Sequence, residues 1–206
     1  MEHNTLYDAF LYMHNNDNFI AEQIKIRNVV YDTKYKKYKM KFDGVEYEFI
    51  CVMYEDENNN NMGIAYLNNI SFGHPQILED IDEMHPETFE FEIFKAIQTE
   101  NKKYCVEIMD KFVENKKAIY INWLQNRDDC DIPNNPNTVC KSLKGIMTLI
   151  FTFFSNINIT GPIYLDDDSM IGGIKTLIPR LLSGKSSIYE AYGFKSTYSM
   201  ELIQSD

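Results

Sequence analysis

The C-terminal region of the chain contains a tyrosine in a setting that suits proton transfer. In Ile188-Tyr189-Glu190-Ala191-Tyr192-Gly193-Phe194-Lys195, this tyrosine precedes a Gly-Phe pair by four residues. Ser186 or Ser187 can cap a short helix through Tyr192, and Gly193 can end it because glycine adopts left-handed backbone conformations easily. The phenol of Tyr189 is a weak acid and could donate a proton. The alternative interpretation of Tyr189 is an aromatic side chain that packs a short helix.

A second candidate site surrounds a lone glycine in Lys141-Ser142-Leu143-Lys144-Gly145-Ile146-Met147. Ser142 can cap a helix whose wide apolar stripe runs from Leu143 to Phe154. The first turn of a helix offers free N–H groups and the positive end of the helix dipole, and both bind phosphate. Lys141 and Lys144 would add positive charge. The pattern is not specific by itself, because any amphipathic helix that starts near a glycine looks similar.

The N-terminal elements are predicted from the spacing of apolar residues. Apolar positions predict a short helix over Leu6–His14 and three strand-like runs, with Asp43-Gly44 as a hairpin turn. These runs are Gln23–Tyr31, Tyr38–Phe42 and Val45–Tyr54, followed by a fourth strand over Met62–Asn68. Together they predict an antiparallel meander.

The middle and end of the chain alternate between helical and extended patterns. Pro86-Glu87-Thr88 can open a helix through Ile97, whereas periodicity does not decide between helix and strand for Tyr104–Phe112. Buried strands are predicted at Ala118–Leu124 and Ile163–Leu165 and a last strand at Ser199–Ile203, with Met170–Gly184 as an inserted loop containing a helical turn.

From the strand at 118–124 onward, the order strand, loop, helix, strand, helix, strand resembles the cofactor-binding half of GNAT-type N-acetyltransferases. The loop motif of that superfamily, Gln/Arg-x-x-Gly-x-Gly/Ala, falls on Ser142-x-x-Gly145-x-Met147. The last helix of the superfamily typically ends in Leu-Tyr-x-x-x-Gly-Phe. In this chain that motif falls on Ile188-Tyr189 and Gly193-Phe194. The resemblance covers roughly residues 118–203, and the chain departs from the loop motif at Ser142 and at Met147, which would crowd the phosphates.

The resemblance implies an α/β (α+β) fold with a mixed central sheet in a single GNAT-like domain over residues 1–206. Residues 1–117 would form the N-terminal meander and helices, and residues 118–206 the acyl-CoA-binding half with an insertion at 170–184. The implied activity is transfer of an acetyl group from acetyl-CoA to a primary amine by direct attack. The alternatives are a catalytically degenerate GNAT-fold binding or structural protein, and an unrelated α/β protein with a chance match.

The resemblance also assigns roles to residues. Tyr189 would protonate the departing coenzyme A thiolate. Acetyl-CoA, as co-substrate, would contact the end of the strand at 118–124, the loop and helix start, and the lysine before the last helix: Trp123, Leu124, Lys141, Ser142, Leu143, Lys144, Gly145, Ile146 and Lys185.

The general base is left open by the sequence. Asp128, Asp129 and Glu107 are candidates by location, and each has the alternative of a solvated charge. The run Asp166–Asp168 would attract a cationic substrate. No metal is expected, because no histidine or carboxylate spacing accompanies that run and the four cysteines lack metal-type spacing.

The charge of the chain restricts its partners. The net charge is −11, and all of it falls within residues 1–137. This argues against binding to nucleic acid or to an anionic membrane and suits a cationic amine as acceptor. The acidic N-terminus lacks the core of a signal peptide, so an intracellular, cytoplasmic location is expected. Heavy use of asparagine, lysine, isoleucine and tyrosine is typical of an AT-rich genome, such as that of a large DNA virus. The sequence makes no prediction of oligomeric state, and a dimer is left open.

Overall fold

The fold is taken from a computed structural model of the chain. It describes residues 1–26, 29–68, 89–97, 104–124, 143–165, 170–171, 174–175 and 189–195. The chain divides into two compact units, Met1–Ile163 and Tyr164–Asp206. The prediction of one GNAT-like domain over the whole chain stays a prediction.

Most of the described elements belong to the first unit. They are α1 (Leu6–Asn16), β1 (Ile20–Ile26), β2 (Val29–Phe42), β3 (Val45–Glu55), β4 (Asn61–Asn68), α2 (Phe89–Ile97), β5 (Tyr104–Val113), β6 (Lys116–Leu124) and α3 (Leu143–Asn156). Strand β7 (Ile163–Leu165) begins at the last residue of this unit. Later elements are β8 (Met170–Ile171), β9 (Ile174–Lys175) and a 3-10 turn, Glu190–Tyr192. The protein is therefore mixed α/β with few helices among the described residues.

The central sheet is mixed and has seven strands in the order in which they occur in the chain, β1 to β7. Each neighbouring pair from β1 to β6 is antiparallel. The backbone N–H of Ile119, near the start of β6, donates to the carbonyl of Pro162 just before β7, over 3.2 Å. The starts of β6 and β7 therefore lie together, as expected for strands joined by a crossover helix.

Two tight turns explain the hairpins of this meander. Asp43 and Gly44 connect β2 to β3 with φ values of 50° and 78°, and Glu114 and Asn115 connect β5 to β6 with φ values of 50° and 63°. Two consecutive residues with positive φ are typical of the two-residue turn that matches the twist of antiparallel strands. The Asp43-Gly44 turn is confirmed, whereas the Glu114-Asn115 turn was not predicted.

The sheet is covered on both faces. On one face, Ile93, Phe94 and Ile97 of α2 pack with buried residues of β1 to β6. On the other face, Phe153 of α3 stacks on Phe49 of β3, with ring centroids 4.1 Å apart. Helix α1 lies on this second face, because its start contacts Gly63 and alternate residues of β4 belong to the α2 face. Each helix therefore buries its apolar stripe against the sheet.

The N-terminal segment is tightly fixed before and at the start of α1. The backbone N–H of His3 donates to the carbonyl of Asn158, and the N–H of Thr160 donates to the carbonyl of His3, both over 2.9 Å. The Thr5 hydroxyl accepts the N–H of Asp8 over 3.1 Å, which caps the helix. A side chain at Gly161 would meet the backbone of residue 4, so this approach requires glycine.

The structure confirms the antiparallel meander and corrects one of its strands. Gln23–Tyr31 is not one strand, because β1 ends at Ile26 and Tyr31 belongs to β2. Tyr104–Phe112, which the sequence left open, is a strand. The described part of Met170–Gly184 is the β8–β9 hairpin, and the predicted strand Ser199–Ile203 lies outside the described residues. None of the helices in the described ranges is long and apolar enough to cross a membrane.

Candidate functional site

The predicted phosphate-binding residues surround the start of α3. Leu143 begins this 14-residue helix, Lys144 is exposed, and Gly145 is partly exposed in its first turn. The first turn contains no acidic residue, so the positive end of the helix dipole is not opposed there by a carboxylate. Lys141, Ser142 and Lys185 lie outside the described residues. Helix α3 thus presents a positive amino end, whereas the other predicted phosphate ligands stay predictions.

Met147, which was expected to crowd the phosphates, is fully buried in the core beside Ile146. Successive residues of a helix point about 100° apart, so both neighbours can belong to the wide apolar face that packs on the sheet. The large side chain at this position is therefore accommodated by packing. Ile146, which was predicted to contact the cofactor, has no exposed surface either.

The end of β6 is the second part of the predicted site. Trp123 and Leu124 are the last two residues of this strand. A helix that connects two strands running in the same direction returns along the sheet, so α3 begins on the side of the carboxyl end of β6. The topology therefore assigns the end of β6 and the start of α3 to the same end of the sheet.

Glu107, one of the three candidate bases, lies beside that end of β6. It pairs with Trp123 across the ladder and is 2% exposed. The amide Nδ2 of Asn122 donates to Glu107 Oε1 over 2.5 Å. The ladder changes register between Glu107 and Ile108, which makes Asn122 the extra residue of a β-bulge. A buried carboxylate with a fixed donor is thereby placed at the predicted cofactor end of the sheet.

The other two candidate bases, Asp128 and Asp129, and the acidic run Asp166–Asp168 lie outside the described residues. Among the described residues, no group of histidine, cysteine and carboxylate side chains could hold a metal ion. Burial raises the pKa of the Cys51 thiol, which disfavours the thiolate that a metal requires.

Asp110 is a buried charged group that the sequence did not single out. Its Oδ1 accepts the backbone N–H of Leu6 over 2.7 Å, and its Oδ2 accepts those of Tyr7 and Gly63 over 2.9 Å. Burial raises the pKa of this carboxyl to about 6, although the three hydrogen bonds and nearby Lys117 act to lower it. Asp110 therefore fixes the first turn of α1 to β4 and β5, a structural role rather than a catalytic one.

Tyr189 belongs to the second compact unit and is 7% exposed. Its carbonyl accepts the N–H of Tyr192 over 2.9 Å, and its ring meets the ring of Phe194 edge-on with centroids 6.4 Å apart. Gly193 ends the 3-10 turn with φ 89°, the left-handed conformation predicted for it. The predicted start of this helix at Ser186 or Ser187 lies outside the described residues. The Tyr-x-x-x-Gly-Phe motif thus forms a compact turn around a largely buried tyrosine.

Comparison of the chain with protein-family models, with curated proteins and with solved structures gives no match. Function is therefore inferred from the two motifs around Gly145 and Tyr189, from the order of the elements, and from the buried carboxylate of Glu107. Of the predicted site residues in the first unit, the structure pairs Glu107 with Trp123. Asn122 is the residue of this region that the sequence did not identify, because it occurs within the apolar run Ala118–Leu124.

Proposed function

We propose that the chain is a GNAT-type N-acetyltransferase that moves an acetyl group from acetyl-CoA to a primary amine by direct attack. The observation that carries the proposal is the succession of β6, α3 and β7, in which a helix with a positively charged first turn follows a strand that ends beside buried Glu107. This is the arrangement that the motif around Gly145 requires. The left-handed Gly193 after Tyr189 supports the second motif.

The phosphate groups of the co-substrate require positive charge and free N–H donors. The start of α3 supports this requirement with the positive end of the helix dipole and the exposed Lys144, and its first turn contains no acidic residue. Lys141, Ser142 and Lys185 would add donors to the same phosphates. The backbone of Trp123 and Leu124 would pair with the pantetheine amides.

In the proposed reaction the amine nitrogen attacks the acetyl carbonyl, the carbon–sulfur bond breaks, and two protons move. An amine that is protonated in water must lose a proton before it can attack, and Glu107 would accept this proton through a water relay, because its carboxylate is almost completely buried. Tyr189 donates a proton to the thiolate that leaves. The acidic N-terminal half favours a cationic acceptor, such as a lysine side chain, a peptide N-terminus or a polyamine.

Acetyl-CoA should stabilise the folded chain. A ligand at about 100 times its Kd raises the free energy of unfolding by about 2.7 kcal/mol, which for a chain of this size raises Tm by roughly 5–10 °C. Differential scanning fluorimetry with acetyl-CoA measures the shift. Lys144→Glu should reduce it because it reverses the charge at the start of α3, whereas Lys116→Glu, in an exposed position on β6, serves as the matched control. Absence of any shift at millimolar acetyl-CoA would favour the degenerate binding or structural protein.

Loss of the Tyr189 hydroxyl should slow the reaction without unfolding the protein. Tyr189→Phe keeps the ring that meets Phe194, so we expect Tm to change little and turnover to fall by about 100-fold, a typical loss for a general acid. Release of the coenzyme A thiol, followed with a thiol reagent and a lysine peptide or spermidine as acceptor, measures turnover. Tyr192→Phe in the same turn is the control, and equal rates for the two variants would exclude Tyr189 as the proton donor.

A further inference from the structure

Asn122 is an unusual residue for its position. It is exposed and polar in a strand whose preceding residues, from Ala118 to Ile121, are all buried. It is also the extra residue of the bulge in β6, the place at which the ladder with β5 changes register. Bulges occur next to active sites, where they redirect a side chain. Here the redirected side chain donates its amide to Glu107.

We propose that Asn122 is a positioning residue that holds the Glu107 carboxylate ionised and oriented as the proton acceptor. This inference rests on the proposed function for the role of Glu107, but the contact between the two side chains is observed in the structure. The Nδ2 of Asn122 donates to Oε1 of Glu107, and a hydrogen bond to an ionised acceptor is stronger than one between two neutral groups. A donor to the charged form of a buried carboxylate stabilises that form against protonation.

The chemistry of the donor suits this role. Removal of water from a carboxylate is costly unless the carboxylate is hydrogen-bonded, and Glu107 is almost completely buried. The Asn122 amide carries no charge, so its hydrogen bond orients the carboxylate without adding a positive charge.

Other ionisable residues share the face of the sheet on which Glu107 lies. Tyr66 of β4 pairs with Glu107 in register and is fully buried, and Tyr120 of β6 lies on the same face. Lys111 of β5 is also on this face, with its Nζ 4.3 Å from the centroid of the Tyr120 ring. Glu48 of β3 is the other buried carboxylate among the described residues on this face. Helix α2 covers the face with apolar side chains, of which Phe94 contacts the ring of Tyr66.

The test replaces Asn122 by leucine, which has the same branched shape, and by glutamine, which keeps the amide. In Asn122→Leu the donor is lost, whereas Asn122→Gln keeps an amide and Asn18→Ala, at an exposed position before β1, is the control. The titration midpoint of the Glu107 carboxyl is followed by 13C NMR, with Glu107→Gln used to assign the signal. Loss of a hydrogen bond to a charged group shifts a titration midpoint by about 1–2 pH units. We therefore expect the midpoint to rise by that amount in Asn122→Leu and to stay nearly constant in Asn122→Gln and Asn18→Ala.

Kinetics provides the second readout. The acidic limb of the profile of kcat/KM against pH should move upward by the same interval in Asn122→Leu, with kcat reduced about tenfold near pH 6 and KM nearly unchanged. An unchanged titration midpoint in Asn122→Leu would overturn the inference. A shifted midpoint in a protein that acetyl-CoA does not stabilise would overturn the proposed function and leave the control of Glu107 by Asn122 standing.

Discussion

Asp110→Ala should lower the free energy of unfolding by about 3–5 kcal/mol at pH 7. The substitution removes the acceptor of three backbone N–H groups, those of Leu6 and Gly63, which are buried, and that of Tyr7, which is partly buried. A buried donor without a partner costs about 1–3 kcal/mol, and relief from burying the carboxylate offsets part of the sum. Urea unfolding followed by circular dichroism measures the change, and amide hydrogen exchange should show that the first turn of α1 loses protection.

Asp32→Ala is the matched control, because Asp32 is an exposed aspartate of β2 whose side chain accepts a hydrogen bond from Gln23. Surface substitutions of this kind usually change stability by less than about 0.5 kcal/mol. A loss below about 1 kcal/mol for Asp110→Ala would show that the three N–H groups find other partners, and that α1 does not depend on this carboxylate.

The effect of Asp110→Ala should also depend on pH, and the direction follows from the pKa. Burial raises the pKa of Asp110 from its ordinary 3.8 to about 6 in the folded protein. Between these values the folded chain holds the proton more tightly than the unfolded chain, so the group contributes stability below about pH 4 that is lost as the pH rises through 6. The difference between wild type and Asp110→Ala should therefore be larger at pH 4 than at pH 7, by up to about 3 kcal/mol. A difference that grows with pH would contradict this pKa.

Elements with strong local patterns could be predicted from the sequence. The apolar positions of Leu6–His14 and the turn at Asp43-Gly44 depend on residues within one helix or one hairpin, and both were predicted close to their observed positions. The boundary between β1 and β2 was not found, although the buried positions change there from even numbers, Ile24 and Ile26, to odd numbers, Tyr31 and Thr33. The prediction treated the whole run as one strand and overlooked this change of phase.

The contacts of Asp110 could not be predicted, since they depend on residues that are distant in the sequence. Its partners Leu6 and Gly63 lie 104 and 47 residues away. A single aspartate in a strand carries no local sign of which helix it will cap. The sequence makes Glu107 a candidate base by location, but its burial and its bond to Asn122 depend on a register shift between two strands. The motif residues of the second unit were found because Tyr189 and Gly193 belong to one short segment.

Gly63→Ala should be the other strongly destabilising substitution, with a loss of about 3 kcal/mol or more. A Cβ atom at this position would lie 2.5 Å from the backbone nitrogen of Tyr7 and 2.8 Å from the Cβ of Leu6. These atoms belong to the first turn of α1, which Asp110 fixes in place, so neither can move without the loss of hydrogen bonds. Overpacking typically costs about 1–3 kcal/mol even in cores that can adjust, and a rigid backbone adjusts less. Thermal and urea unfolding of the variant measure the loss.

Gly44→Ala separates crowding from backbone strain. Gly44 has φ 78°, and a Cβ atom added there would meet no other atom within 4 Å. Its substitution by alanine therefore costs only the strain of a left-handed residue, about 1–2 kcal/mol.

The double variant Gly63→Ala/Asp110→Ala should lose less stability than the sum of the two single losses, because each change already releases the same turn of α1 from the sheet. Additive losses would mean that Gly63 and Asp110 stabilise the fold independently. They would contradict the inference that both residues hold the same turn of α1 against the sheet.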